Sequence, residues 1–297
     1  MDTWRAFDVF LNTPPHILFQ LAWVKIFPQD KLETFTDEYP CVFVLSTGRT
    51  GTTTLTQLCA MNKKVFAFHE PFPQMFGLSQ AAYQLRSHVK QNKDVELALR
   101  EGFLTARQKL MEYSLKFGRG YVETGPHATF LAPLILRCVL NVKFIHLVRD
   151  PKKFTRSGMR RKWYEGHQYD RWRIKPDPDS AFGKRWEGFS PLEKNLWLWA
   201  ETNRYASDFF KTLPPGRGLQ VHSEKVFAAD SETMRRVFNF IGSNPPSERK
   251  IKRILGRQLN EQTDGTFKEP ENWLAELDKD LAQFVMEIAA RLGYEFL

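Results

Sequence analysis

Cysteine is scarce in this chain, with 3 in 297 residues, at positions 41, 59 and 138. The number is odd and the spacing fits no zinc site, which speaks against a disulfide-stapled scaffold and a cysteine-held metal. Apolar neighbours around Cys41, Cys59 and Cys138 predict buried free thiols and a reducing, cytoplasmic setting. No stretch holds 18 uninterrupted apolar residues, so no transmembrane helix is expected. The start, with Asp2, Arg5 and Asp8, has no basic segment leading into a long apolar run, so no signal peptide is expected. The apolar run 17–27 is broken by Gln20 and Lys25 and reads as an amphipathic segment within an N-terminal helical extension over 1–38. Internal repeats and low-complexity tracts are missing too, which argues against a solenoid or a disordered array.

What remains is ordinary globular composition, 42% apolar and 26% charged, in a chain long enough to bury a large core. The net charge of +9 suits an anionic ligand, and where the charge sits has to decide. Short apolar runs at 41–45, 65–68, 120–123, 142–148 and 219–222 predict buried strands. Helical patterns lie between and after them, for example over 52–60, 128–140, 192–212 and 231–241, with a last helix over 272–292. This alternation predicts an α/β fold, a P-loop-like parallel β-sheet flanked by helices on both faces, in a single domain over 1–297. The segment 159–190 breaks the pattern. Rich in Trp, Arg, Lys and Pro, it reads as an insertion or lid, with Trp163, Tyr164, Tyr169, Trp172 and Trp186 shaping a pocket.

In open parallel sheets ligands bind beyond the carboxyl ends of the strands, so those ends carry the chemistry. The first strand runs into Ser46-Thr47-Gly48-Arg49-Thr50-Gly51-Thr52-Thr53-Thr54 and then a helix. Glycines let backbone N–H groups converge and the helix dipole favours negative charge, so strand, loop and helix start form an anion cradle. Arg49 and the threonine hydroxyls add donors. The loop is not a Walker A motif, because only two residues separate Gly48 and Gly51 and no Lys-Ser/Thr follows. It offers a guanidinium fork where a nucleotide triphosphate site offers lysine and Mg²⁺.

The fourth strand ends in His146-Leu147-Val148-Arg149-Asp150-Pro151, and Asp150 with Pro151 is a helix start. Arg149 beside the loop would be a costly unpaired cation without an anion. Ser157, two turns along that helix, is positioned to donate to the same anion.

With these residues the chain resembles the PAPS-dependent sulfotransferases, PAPS being 3′-phosphoadenosine 5′-phosphosulfate. Thr47, Gly48, Arg49, Thr50, Gly51, Thr52 and Thr53 look like their 5′-phosphosulfate loop, in the arginine version of bacterial, carbohydrate and tyrosylprotein members. Arg149 with Ser157 matches the pair that holds the 3′-phosphate. Phe68-His69-Glu70-Pro71 is similar to the segment in which a glutamate serves as base. Glu224 falls where the family has an acid ending a strand, and Tyr294 resembles its C-terminal ending. The resemblance covers about 41–160 and 215–295. One departure stands out: many members carry Lys-Thr-Pro where this chain has Glu123-Thr124-Gly125-Pro126-His127, so the lysine is missing.

The resemblance implies in-line transfer of a sulfuryl group from PAPS to a hydroxyl or amine of a small-molecule, sugar or lipid acceptor, with PAP as product and no metal. Arg49 is then placed to stabilise charge on the leaving oxygen. A base must take the acceptor's proton, with Glu70 first, His69 second and His127 third. Two other readings compete. A kinase on this loop would use Asp150 for magnesium, but lacks the Walker lysine. A nucleic-acid-binding module would use the basic run 149–162, but no nucleic-acid motif accompanies it and its cations adjoin a small-anion cradle.

Overall fold

The computed structural model describes residues 35–89, 91–256 and 266–296. The expected extension over 1–38, including the run 17–27, lies outside them except at its very end. The strands are β1 (Cys41–Leu45), β2 (Val65–His69), β3 (Gly120–Thr124), β4 (Lys143–Val148) and β5 (Gly218–His222). All pair in parallel, in the order β2-β3-β1-β4-β5. Successive side chains of a strand face opposite ways. Accordingly Cys41, Phe43 and Leu45 enter one core while Val42 and Val44 enter a second on the other face. Both faces of β1 are covered, which is why its sequence is a continuous apolar run. Each fully buried large side chain of this kind stabilises the fold by about 1.5–3 kcal/mol.

Helices supply the crossovers that parallel pairing requires. The main helices between the strands are α1 (Thr52–Cys59), α2 (Phe76–Gln84), α3 (Lys93–Lys116), α4 (Ala132–Cys138), α5 (Pro151–Met159) and α6 (Pro191–Phe210), while α7 (Ser223–Phe227), α8 (Ser231–Phe240), α9 (Glu248–Leu255) and α10 (Lys279–Arg291) follow β5. On the first face α3 sends in Leu99, Phe103 and Met111, α6 sends Leu196, Trp197 and Trp199, and α10 sends Leu281, Val285 and Ile288. On the second, Leu55 and Leu58 of α1, Met234 and Phe238 of α8, and Ile251 and Ile254 of α9 pack on the sheet. Local signals fix where these helices begin. Asn92 caps α3, Asp150 caps α5 ahead of Pro151, and Ser190 with Glu193 forms a capping box on α6.

Three expectations shift. The helix expected over 128–140 starts only at Ala132, because Pro126–Ala128 is a separate 3₁₀ turn. The last helix starts at Lys279 and not at 272, because Asp278 accepts from the N–H groups of Asp280 and Leu281. Cys41 and Cys59 are buried free thiols, but Cys138, at the end of α4, is only half-buried.

The chain leaves β1 towards β2 on one side and leaves β4 towards β5 on the other. Such a switch opens a crevice at the carboxyl ends of the two central strands. Residues 46–54, after β1, and Arg149, after β4, border that crevice.

Candidate functional site

A cavity of about 870 Å³ opens there, lined by the loop after β1, the ends of β2 and β4, α5 and the insertion. Pockets of roughly 300–1,000 Å³ hold small ligands, so a nucleotide and a modest second substrate have room. The loop is held from below. Thr129 Oγ1 accepts from the Ser46 N–H and donates to the Ser46 carbonyl, both at 2.9 Å. Gly48 (φ 76°), Arg49 (φ 55°) and Gly51 (φ 85°) are left-handed, the geometry that turns backbone N–H groups inward. Gly51 also lies against Phe227, whose ring would be 2.6 Å from an added Cβ. No side chain caps α1 at Gly51, and a helix start of this kind turns backbone N–H groups towards an anion. Thr50 Oγ1 is buried and has no partner among the described residues.

Arg49 extends across the cavity floor and donates from Nε to Ser157 Oγ at 3.0 Å. Burial pushes its guanidinium down to about 10, Arg161 and Arg149 add to the push, and Glu70 opposes it. Arg149 donates to the Arg49 carbonyl, while its own carbonyl accepts from the buried Trp199 Nε1 at 2.9 Å. Its guanidinium is also lowered, first by burial, against the pull of Glu224 and Asp150. Glu224 in turn accepts from the Asp150 N–H at 3.1 Å and from the Tyr294 hydroxyl at 2.8 Å. Burial would raise the Glu224 carboxyl, but these bonds, its own N–H and Lys153 hold it below the usual range. Cations crowded into a low-dielectric crevice are stable only with counter-charge. The donor set at the loop and at Arg149 fits a ligand that would bring such charge, as a bisphosphate or phosphosulfate would.

His69 Nε2 bonds Thr53 Oγ1 and its Nδ1 bonds Thr124 Oγ1, each at 3.0 Å, so both nitrogens tie the loop to β3. Burial lowers its pKa and favours the neutral ring. Glu70 follows in a left-handed conformation (φ 46°), with its N–H on the Thr124 carbonyl at 2.9 Å. Its carboxylate lines the cavity 4.0 Å from His69 Nε2, its one ion-pair contact among the described residues. His127 is buried. Its Nε2 lies 2.9 Å from Glu123 Oε1, and its Nδ1 has no partner among the described residues. Gly125 separates this ring from Glu70: an added Cβ would lie 2.8 Å from Glu70 Cγ and 2.9 Å from His127 Cε1. Beneath them Arg107 of α3 binds both Glu123 oxygens, at 2.9 and 2.7 Å, and the carbonyls of Pro71 and Pro73 at 3.2 and 2.8 Å.

The insertion closes one side. Gln80 of α2 donates to the carbonyls of Arg171 and Arg173, at 2.9 and 2.8 Å, and so pins the insertion to the body. Of the five aromatics expected to shape the pocket, Trp163, Tyr169 and Trp172 line the cavity with Phe76 and Phe130. Tyr164 and Trp186 instead turn away from it and pack edge to face on each other at 5.6 Å. Among the described residues no cluster of His, Cys, Asp and Glu can hold a metal, and no helix is long and apolar enough to cross a membrane.

A sequence profile described as the sulfotransferase family matches residues 40–245. The chain belongs to the sulfotransferase family. Solved structures agree at the level of the fold. A sulfotransferase domain from the curacin biosynthetic pathway superposes with a TM-score of 0.53 at 17% identity, over 87% of this chain and 99% of that one. A sulfotransferase domain from the Synechococcus PCC 7002 olefin synthase gives 0.50 at 16% identity, over 91% and 99%. No curated protein matches by sequence.

Within this sulfotransferase every residue read from the loop motif, together with Arg149, Ser157, Glu70, His69 and His127, comes to the one crevice. All but Thr50 appear in the cavity wall. Among the other residues that bear on the site are four to which the sequence assigned no role there. Arg107 sits mid-helix, Glu123 reads as part of a strand, Phe227 ends a short helix, and Arg161 hides in a basic run. Only the fold brings them to the crevice.

Proposed function

We propose that this sulfotransferase takes its sulfuryl group from PAPS and delivers it to a hydroxyl or amine of a small-molecule, sugar or lipid acceptor. The observation that carries the reading is the pairing of two guanidinium-centred anion subsites, at Arg49 and Arg149, in one cavity with an aromatic side. One ligand with phosphates at both ends meets both cations, and a monophosphate meets only one. Phe227, 45% exposed beside the loop, offers a flat face for a base.

PAPS supplies a sulfuryl group already bonded to a phosphate oxygen that leaves readily. The loop N–H groups and Arg49 hold the 5′ end and stabilise the charge left on that oxygen when the S–O bond breaks with its electron pair. Arg149 and Ser157 hold the 3′-phosphate; the Ser157 oxygen accepts from Arg49 and keeps its own O–H to donate. The new bond joins sulfur to the acceptor oxygen or nitrogen, and Glu70 takes the acceptor's proton. Glu70 is favoured over His69 because both His69 nitrogens are engaged by hydroxyls. It is favoured over His127 because the His127 ring is buried against Glu123. Residues 159–190 form the acceptor side of the pocket, and free thiols at Cys41, Cys59 and Cys138 support a cytoplasmic location.

A screen of alcohols, sugars, lipid headgroups and amines with sulfur-labelled PAPS tests the reading. Label should pass to one acceptor class. No transfer to any class, with phosphoryl transfer from ATP in the same screen, would overturn it.

A further inference from the structure

Glu70 lines the cavity, yet its carboxylate forms no hydrogen bond with any described residue and only comes within 4.0 Å of His69 Nε2. Its aim is therefore set by the backbone that carries it. That backbone is held against local preference. Glu70 is left-handed (φ 46°), which a side chain disfavours, and it precedes Pro71, which favours an extended residue before it. Geometry of this kind at a functional site persists where the surrounding structure enforces it.

Two sets of bonds enforce it here. The Glu70 N–H donates to the Thr124 carbonyl at 2.9 Å and ties the residue to the end of β3. Just beyond, the Arg107 guanidinium donates from Nη2 to the Pro71 carbonyl at 3.2 Å and from Nη1 to the Pro73 carbonyl at 2.8 Å. Its Nε meanwhile faces both Glu123 oxygens, at 2.9 and 2.7 Å. Glu123 Oε1 also accepts from His127 Nε2 at 2.9 Å. That ring packs beside Gly125, where an added Cβ would lie 2.9 Å from its Cε1 and 2.8 Å from Glu70 Cγ. One buried ion pair thus holds the turn after Glu70 directly and its flank through a histidine.

On α3, Leu99, Phe103 and Met111 enter the core from one face, and Arg107 takes the four-residue step between the last two, fully buried. A buried ion pair is a weak source of stability, and apolar residues of similar size often serve a core as well. They cannot supply a planar fork that reaches two carbonyls and a carboxylate at once. We propose that Arg107 is a positioning residue for the transfer, its fork fixing the turn 70–73 so that the Glu70 carboxylate meets the acceptor's proton; this rests on the reading of Glu70 as base. Arg107 lies behind the cavity wall and not in it, so it touches neither substrate. The proton goes to Glu70 alone.

The test uses Arg107→Lys and Arg107→Leu/Glu123→Leu, each with and without Glu70→Gln. Turnover is measured with the acceptor found in the screen, PAP affinity by calorimetry and stability by chemical denaturation. The Leu/Leu variant should regain most of the stability that Arg107→Leu loses, yet its turnover should stay roughly a hundredfold below wild type. Arg107→Lys keeps the charge without the fork and should lose roughly tenfold. PAP affinity should be unchanged in both. On the Glu70→Gln background neither change should lower turnover further, since no base is left to place. Turnover that recovers along with stability in the Leu/Leu variant would overturn the proposal and leave Arg107 a residue of the fold alone. The same fractional loss with and without Glu70 would overturn it by tying Arg107 to another step. PAP affinity weakened as much as turnover would overturn it by moving the effect to the anion loop. Near-normal turnover in Glu70→Gln by itself would instead defeat the base reading, and the proposal with it.

Discussion

At the scale of single residues, the division of labour around Glu70 makes the sharpest claim. Glu70→Gln keeps shape and polarity but removes the proposed proton acceptor, and should lower turnover by about 10²–10⁴ with PAP affinity unchanged. His69→Gln should act differently, because its ring bonds Thr53 and Thr124 and so shapes the loop. A glutamine there should disturb PAP affinity as much as turnover. A large turnover loss from His69→Gln with a near-normal Glu70→Gln would transfer the base to the histidine. Glu70 was legible in sequence because it ends an apolar strand and precedes Pro71. Arg107, which binds the Pro71 and Pro73 carbonyls just beyond it, was not. An arginine in the middle of a long helix reads as a solvated charge until the sheet buries it against Glu123.

At the scale of elements, that Arg107–Glu123 pair joins α3 to β3 with both side chains fully buried. Removing one partner leaves an uncompensated charge inside the protein, so Arg107→Leu should destabilise it by about 3–5 kcal/mol. The double variant Arg107→Leu/Glu123→Leu should recover much of the loss. Chemical denaturation of the three proteins checks this; equal stability of single and double variants would mean that the arginine does not compensate Glu123. Strand β4 carries a second buried polar group, His146, whose Nε2 donates to Asn203 of α6 at 2.9 Å. Burial lowers its pKa to about 4 from 6.5, with His222 adding to the shift and the Asn203 bond opposing it. The unfolded chain therefore takes up a proton before the folded one does. This contribution to stability is complete above pH 6.5 and falls away towards pH 4, by about 3 kcal/mol over the window. His146→Gln keeps a donor to Asn203 and should flatten that part of the stability–pH curve; an unchanged slope would assign the acid sensitivity elsewhere. The strands were legible as apolar runs because burial on both faces demands them. Helix ends were less so. The start of α10 is set by Asp278, and a polar cap within a polar stretch has little contrast.

At the scale of the whole molecule, the strand order could not be read from the chain, since five similar apolar runs can pair in many ways. The order matters because it sets β1 beside β4 and so brings Arg49 and Arg149, a hundred positions apart, into one hydrogen bond. It also draws Tyr294 from the end of the chain onto Glu224, beyond the span of the family match. The loop and the strand end were each readable as anion sites; that they serve one cavity is a property of topology. That convergence is the central claim, and calorimetric titration with PAP and with AMP tests it most directly. On the proposed reading PAP would reach both subsites and AMP only one, so PAP should bind wild type far more tightly. Arg149→Ala should weaken PAP by roughly ten- to a hundredfold while leaving AMP nearly unchanged. Equal affinity for PAP and AMP in wild type, or a loss in Arg149→Ala that is the same for both, would contradict the account.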